Sequence, residues 1–293
     1  MARAICPGSA GELIEGIWEE KEVLISLTIN RVSEMEVEIE NEFIARTSAS
    51  PLPKSQKALE IALRDWGFPH LVSRIGFRRL RSLPEGKGLS SSTADIAALL
   101  GALSSLVDHP LTEEEIARVA LQVEPTDSTF FRGLCLFGHM DGGVIVRLPL
   151  PHYLGVVVVE LPGTVLTHTV DREKFRRNWL FHRREIEEAY RLVERGLEEE
   201  DVNLLGRAAS LSAQVMQEVE REPLFPRLLE IAEAAGAVGV NRAHTGRAFG
   251  VLFDPRVYSS QQMLERIRAG LAGEKVELWS ARVISGGVRM INL

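Results

Sequence analysis

The segment Pro84-Glu85-Gly86-Lys87-Gly88-Leu89-Ser90-Ser91-Ser92 runs straight into an apolar helical repeat, and no other junction constrains the chain as much. A short glycine-rich turn that feeds a helix N-terminus makes an anion site. Free backbone N–H groups and the positive end of the helix dipole both point at the bound charge. Gly86 and Gly88 let the backbone come close to a phosphate, while Ser90, Ser91 and Ser92 add hydroxyl donors or a metal-ligand oxygen. Beyond the loop, Ala94, Ile96, Ala97, Leu99, Leu100, Leu103, Leu106 and Val107 predict a long, largely buried helix. The first reading is a nucleoside triphosphate site. Taken alone, the loop serves equally well as an ordinary Gly/Ser cap on a core helix.

Other glycine loops do not fit. A Walker loop needs Gly-Lys-Ser/Thr, and here Lys87 precedes Gly88. The dinucleotide fingerprint needs a third glycine where Ser91 stands. Gly88-Leu89-Ser90-Ser91-Ser92 is not a Gly-x-Ser-x-Gly nucleophile elbow, which argues against a serine hydrolase.

A chain of 293 residues is long enough for two domains or one bilobal unit. Its 34 basic and 41 acidic side chains leave a net charge of −7, which argues against nucleic acid or an anionic membrane as the main partner. The apolar run Leu154 to Val159 is far too short to span a membrane and reads as a buried strand. Met1 to Pro7 has no signal-peptide core, and Cys6 and Cys135 form no CxxC. Together these predict a cytoplasmic protein with reduced, buried thiols. His139, His168 and His182 lack metal-ligand spacing, which argues against zinc.

Strands are predicted at 2–7 and 12–18, flanking a Gly-Ser-Ala-Gly turn, and at 22–29, 34–40 and 71–79. A helix is predicted at 54–66, and Thr112 with Glu115 makes a capping box for another to about Val123. A hairpin at 133–137 and 142–148 precedes a strand at 154–161. Helices at 171–199, 202–220 and 225–235 follow, then strands 237–242 and 248–253, a helix at 259–271, and strands near 276–284 and 287–291. The class is α+β with mixed sheets, and the composition shift at Pro162-Gly163 divides it into 1–161 and 162–293.

Pro84–Ser92 resembles the second motif of the GHMP kinases, the superfamily of galactokinase, homoserine kinase, mevalonate kinase and phosphomevalonate kinase. Pro7-Gly8-Ser9-Ala10-Gly11-Glu12-Leu13-Ile14-Glu15-Gly16 is similar to the first motif, and Gly236 to Gly246 occupies the place of the third. Three motifs in order over almost the whole chain are far more specific than one loop. Within the superfamily, Cys6–Leu13, Glu124-Pro125-Thr126-Asp127-Ser128-Thr129 and Arg242-Ala243-His244-Thr245-Gly246 resemble the L-threonine kinases of cobalamin assembly. The resemblance implies an N-terminal, S5-like ATP-binding domain with a left-handed βαβ unit, against the usual crossover hand, and a C-terminal ferredoxin-like domain.

It also implies roles. ATP lies with its phosphates over Pro84, Gly86, Lys87, Gly88, Leu89, Ser90, Ser91 and Ser92, and Ser91 or Ser92 faces Mg²⁺. Lys87 reaches a phosphate or stays a solvated loop lysine. Glu124 and Asp127 are the best carboxylate pair: Pro125-Thr126 takes the backbone out of helical geometry and lets both enter a cleft. Hard Mg²⁺ prefers such oxygens. By family analogy Glu124 binds the metal, and Asp127 accepts or orients the proton of the acceptor hydroxyl. Away from these motifs the two would read as turn caps. Asp95 reads as structural.

Two motifs depart from the family pattern. Many members carry Lys or Arg where this chain has Ser9, and the third motif holds Arg242, His244 and Thr245 in place of extra glycines. Those three suit a small zwitterionic acceptor, with Arg242 clamping a carboxylate and Glu12 or Glu15 pairing with an ammonium group. Bland alternatives are a hairpin surface charge for Arg242 and a satisfied turn histidine for His244. Thr167-His168-Thr169 with Arg172 lies where homoserine kinases carry acceptor residues, but the spacing fits poorly. The expected activity is ATP-dependent phosphorylation of the L-threonine hydroxyl. The alternatives are another hydroxy-acid acceptor such as homoserine, or a non-catalytic nucleotide-binding regulator.

Overall fold

The computed structural model of the chain describes residues 1–39, 52–165, 171–244 and 246–291. Two long strands organise it. β1 (Ala2–Trp18) and β2 (Lys21–Ile39) form an antiparallel pair that runs through the middle of a single sheet. On one side of the pair lie β3 (Ile75–Arg81), β4 (Leu134–Gly138) and β5 (Val144–Leu148). On the other lie β6 (Gly155–Glu160), β7 (Gly239–Arg242), β8 (Ala248–Phe253), β9 (Glu277–Arg282) and β10 (Arg289–Ile291). The backbone path is β5-β4-β2-β1-β7-β8-β6-β9, with β3 on β2 and β10 on β1.

Every pairing between these strands is antiparallel, in place of the mixed pairing that the alternation of elements predicts. The reason is connectivity: β1–β2, β4–β5 and β7–β8 are joined by short turns, which deliver antiparallel neighbours directly. The predicted break between 7 and 12 is absent. Bulges at Pro7/Ser9, Ser9/Glu12 and Glu12/Ile14 absorb the Gly-Ser-Ala-Gly segment within one strand. The division after Leu161 falls just behind β6, both of whose partners, β8 and β9, follow it in the chain.

Helices cover the sheet in groups. α1 (Pro53–Asp65), α2 (Ser91–Leu106) and α3 (Glu113–Leu121) share one core with Ala4, Cys6, Met35 and Val37. α2 is buried at every residue from Thr93 to Ser104, and its small residues let it lie close on the strands. α4 (Arg172–Phe181) and α5 (Arg183–Glu198) replace the single predicted helix. His182 leaves helical geometry between them, and its ring takes Glu218 at 2.9 Å and Glu185 at 3.4 Å. α6 (Val202–Gln217) packs against β1 and β7, and α7 (Leu224–Ala234) and α8 (Ser260–Gly270) close a core with β6 and β8. No helix among the described residues is long and apolar enough to cross a membrane.

Candidate active site

The N-terminus of α2 opens into a cavity of about 410 Å³. Ser90 takes the left-handed conformation (φ 58°, ψ 29°) to turn the loop into the helix, and its side chain does not cap the helix. The first N–H groups of α2 therefore face the cavity without an intrahelical partner. Gly86, Gly88, Leu89, Ser90, Ser91 and Ser92 all line it. Pro84 does not, and Lys87 turns away: its ammonium donates to the Leu161 carbonyl at 2.5 Å and the Gly163 carbonyl at 2.9 Å.

The motifs meet there. Ser9 and Ser90 share a hydroxyl contact at 2.6 Å, and the Ser9 N–H donates to the Leu89 carbonyl at 3.2 Å. Gly88 touches Gly246 backbone to backbone: a Cβ on Gly246 would lie 2.1 Å from the Lys87 carbonyl oxygen. No side chain larger than hydrogen fits at this crossing.

Asp127 is held from two sides. Its N–H donates to Thr93 Oγ1 at 3.3 Å, and Thr93 also meets Thr126 Oγ1 at 3.0 Å. Ser26 and Ser128 exchange N–H to hydroxyl bonds at 3.3 and 3.2 Å, which ties the same loop to β2. Burial pushes the Asp127 carboxyl above its ordinary range, and a Ser90 hydrogen bond and the nearby His244 and His139 oppose that rise.

Glu124 sits beside it with both oxygens engaged. Ser92 donates its hydroxyl to Oε1, and Lys54 holds Oε2 at 2.6 Å. The two residues expected at a metal thus touch each other. They offer two hard oxygens, which suits Mg²⁺, an ion that fills the rest of its shell from phosphates and water. Among the described residues, no group of three or more His, Cys, Asp or Glu is placed as a protein-only metal cage.

The third motif is layered. His244 lines the cavity, whereas Glu12, Glu15 and Arg242 do not. Glu12 accepts the His244 N–H at 2.6 Å, and Glu15 accepts from the His244 ring at Nδ1. Burial raises the Glu12 carboxyl well above the ordinary range, helped by Asp127 and Glu15. Burial alone would lower His244, but Glu15 and Asp127 outweigh it and raise the imidazole. Arg242 spends its guanidinium on Glu220, on the carbonyl at 2.6 Å and the carboxylate at 2.9 Å. Its side chain is thereby committed within the wall. Thr245, and the Thr167-His168-Thr169 segment, lie outside the described residues.

Four lining residues escape a motif search: Lys54 from α1, Arg79 from β3, His139 after β4 and Arg172 from α4. Arg172 was the one with a signal, since its neighbourhood resembles an acceptor segment. Arg79 is neutralised by Asp95 at 2.7 Å and Glu85 at 2.6 Å, which gives Asp95 the structural part its position suggests.

Solved structures with the same fold include small-molecule kinases and mevalonate diphosphate decarboxylase from Staphylococcus aureus. Homoserine kinase from Cytophaga hutchinsonii superposes with a TM-score of 0.73 at 16% identity, over 99% of this chain and 97% of that one. Mevalonate kinase from Methanococcus jannaschii gives 0.73 at 14%, over 96% and 98%. Residues 55–132 match the family described as GHMP kinases N terminal domain. Across its length the chain is 31% identical to the L-threonine kinase of Salmonella typhimurium, covering 99% of this chain and 96% of that protein. Homoserine kinase of Chlorobium phaeovibrioides is more distant, at 27% over 75% of this chain. The chain belongs to the GHMP kinase family and is a kinase, and GHMP kinases use ATP as substrate.

Proposed function

We propose that this kinase phosphorylates the side-chain hydroxyl of free L-threonine. The observation that carries the reading is that the second and third motifs line one cavity, with the first motif bonded behind them through Ser9, Glu12 and Glu15, and Asp127, the Ser92–Glu124 pair and His244 around the N-terminus of α2. Full-length similarity to L-threonine kinases, stronger than that to homoserine kinases, supports this choice of acceptor.

In this reading the triphosphate lies over residues 86–92, where the α2 N–H groups receive its charge. Ser92 and Glu124 hold Mg²⁺, which when bound neutralises charge on the phosphoryl oxygens. The acceptor lies toward Asp127 and His244. Asp127 takes the hydroxyl proton while the hydroxyl oxygen forms its bond to the γ-phosphorus. The bond from phosphorus to the bridging oxygen breaks, and its electron pair leaves on ADP. Base assistance of this kind contributes on the order of 10²–10⁴-fold, and positioning contributes more. Glu12 and Glu15 support the acceptor end through His244, and Arg242 through the wall it braces against Glu220. The product, O-phospho-L-threonine, fits supply of the aminopropanol-phosphate linker of cobalamin.

The test is ATP consumption with Mg²⁺ against L-threonine, L-serine, L-homoserine, mevalonate and galactose, with products identified by mass. Threonine should win by kcat/KM. Serine lacks one methyl, worth about 1–3 kcal/mol in an apolar pocket, so it should follow at roughly 10–200-fold lower efficiency. A homoserine preference would keep the family and overturn the acceptor. Nucleotide binding without turnover on any acceptor would favour a regulator.

A further inference from the structure

One imidazole in the cavity wall gathers more charged groups than acceptor binding requires. His244 faces Glu12 and Glu15 from β1, Asp127 from the loop after α3, His139 from the turn after β4, and Arg172 from α4. Both β1 carboxylates are buried, at 3% and 2% exposure, so neither meets the acceptor directly. Glu15 places one oxygen on His244 Nδ1, while its other oxygen, Oε1, is buried with no hydrogen-bond partner among the described residues. A carboxylate at Nδ1 fixes the ring's orientation and keeps the proton on that nitrogen. Aromatic rings hold the rest: His139 meets the imidazole edge-on at 5.2 Å, and Trp179 stacks at 6.0 Å. His139 leans toward Glu22 at 3.6 Å, while burial and the His244 charge press it toward the neutral form.

We propose that Glu15 and His244 form a positioning couple for Asp127, in which Glu15 pins the ring at Nδ1 and the ring, lining the same cavity as Asp127, turns the Asp127 carboxylate toward the acceptor hydroxyl. Glu15 thus acts through His244 and touches no substrate. The charge ordering agrees. His244 is raised by Glu15 and Asp127 against burial, whereas Asp127, raised by burial, is pulled back by Ser90, His244 and His139. The inference rests on the reading of Asp127 as the group that receives the proton.

The sign follows from this arrangement. Removing the imidazolium lets the Asp127 carboxyl rise further, so the acid limb of the pH–rate profile moves to higher pH. Profiles of kcat and kcat/KM should be measured for the wild type, Glu15→Gln, His244→Gln, Asp127→Asn and the double variant Glu15→Gln/Asp127→Asn, each checked for folding by thermal unfolding. The acceptor used is whichever the wild type turns over best. Glu15→Gln and His244→Gln should shift the acid limb up by about one unit and lower kcat about tenfold on that limb, with little change in acceptor KM. In the Asp127→Asn background, Glu15→Gln should have no further effect. An unmoved acid limb, or a raised acceptor KM with kcat intact, overturns the couple and makes His244 a plain acceptor contact. Full activity of Asp127→Asn overturns the base reading itself, a separate failure. Should His244→Gln fail to fold, Glu15→Gln alone decides.

Discussion

Gly88 and Gly246 join the second and third motifs by backbone contact alone, and that crossing sets a measurable penalty. Gly88 has φ +77°, and a Cβ there would stand 2.7 Å from the Gly246 Cα and 2.8 Å from the Ala243 Cβ. Gly88→Ala therefore carries two costs. The left-handed backbone costs a Cβ-bearing residue about 1–2 kcal/mol. Parting two packed turns adds about 1–3 kcal/mol. Together they remove about 2–5 kcal/mol from a folding stability of roughly 5–15 kcal/mol. Gly273 isolates the first cost, because it has φ +91° with nothing within 4 Å of a built Cβ. Gly273→Ala should lose only about 1–2 kcal/mol. Urea unfolding of the three proteins gives the difference, provided the slopes agree. Calorimetric ATP binding gives the functional half: Gly88→Ala should weaken it by displacing the N–H groups ahead of α2, and Gly273→Ala should not. Equal stability losses in the two variants, or unchanged nucleotide affinity in a folded Gly88→Ala, would refute the claim that this crossing shapes the site.

Other expectations follow from single contacts. Glu124→Gln should raise the Mg²⁺ concentration for half-maximal rate, with Ser92→Ala showing a smaller rise; a magnesium titration at fixed ATP reads both. Lys54 reaches Glu124 from α1, and Lys54→Met should raise the KM for ATP roughly tenfold, the scale of one charge-assisted hydrogen bond, without altering the acceptor KM. Glu12 is raised in the folded state by burial, then by Asp127 and Glu15, so the folded chain holds a proton that the unfolded chain has released. Stability from this group is therefore present below the ordinary carboxylate range and is lost as pH climbs through the raised value. Glu12→Gln should flatten the fall in Tm between acidic and mildly alkaline pH, as followed by thermal unfolding in a buffer series.

Local order was largely legible in the chain, and long-range partnership was not. The N-cap half of the capping box at Thr112 appears as read, with the Glu115 N–H on the Thr112 hydroxyl at 3.1 Å, because such signals act within one turn, whereas the Glu115 carboxylate accepts from Trp66 Nε1 at 2.7 Å and does not go back to the cap. The apolar repeat after Ser92 likewise gives α2. The fate of charged side chains needed the tertiary structure. Arg242 reads as a carboxylate clamp until Glu220, from beyond α6, is seen to occupy it. Lys87 reads as a phosphate contact until the carbonyls of Leu161 and Gly163 are found beside it. Lys54 and Arg79 carry no motif, since each is brought to the cavity by an element that looks ordinary in isolation. The helix break at His182 was hidden because neither glycine nor proline marks it.

Charge accounting explains why a divalent ion belongs with the nucleotide in the proposed reading. The position that often carries a motif cation is Ser9, and its hydroxyl is engaged by Ser90. Lysine and arginine reach the cavity instead from three separate elements, as Lys54, Arg79 and Arg172. Arg79 is matched by Asp95 and Glu85, and Lys54 by Glu124. Arg172 has no carboxylate partner among the described residues; its guanidinium lies 2.6 Å from the Met140 sulfur. With His244 charged, the lining carries four cations against the carboxylates of Glu85, Asp95, Glu124 and Asp127, so the side chains cancel. A bare triphosphate would then find net attraction only in the α2 N–H groups, whose dipole amounts to roughly half an elementary charge. That is too little for a ligand of several negative charges. In the proposed reading the remainder arrives with the ligand: Ser92 and Glu124 would hold a metal ion whose charge would offset that of the phosphates, and Lys54, beside Glu124, would face the same anion.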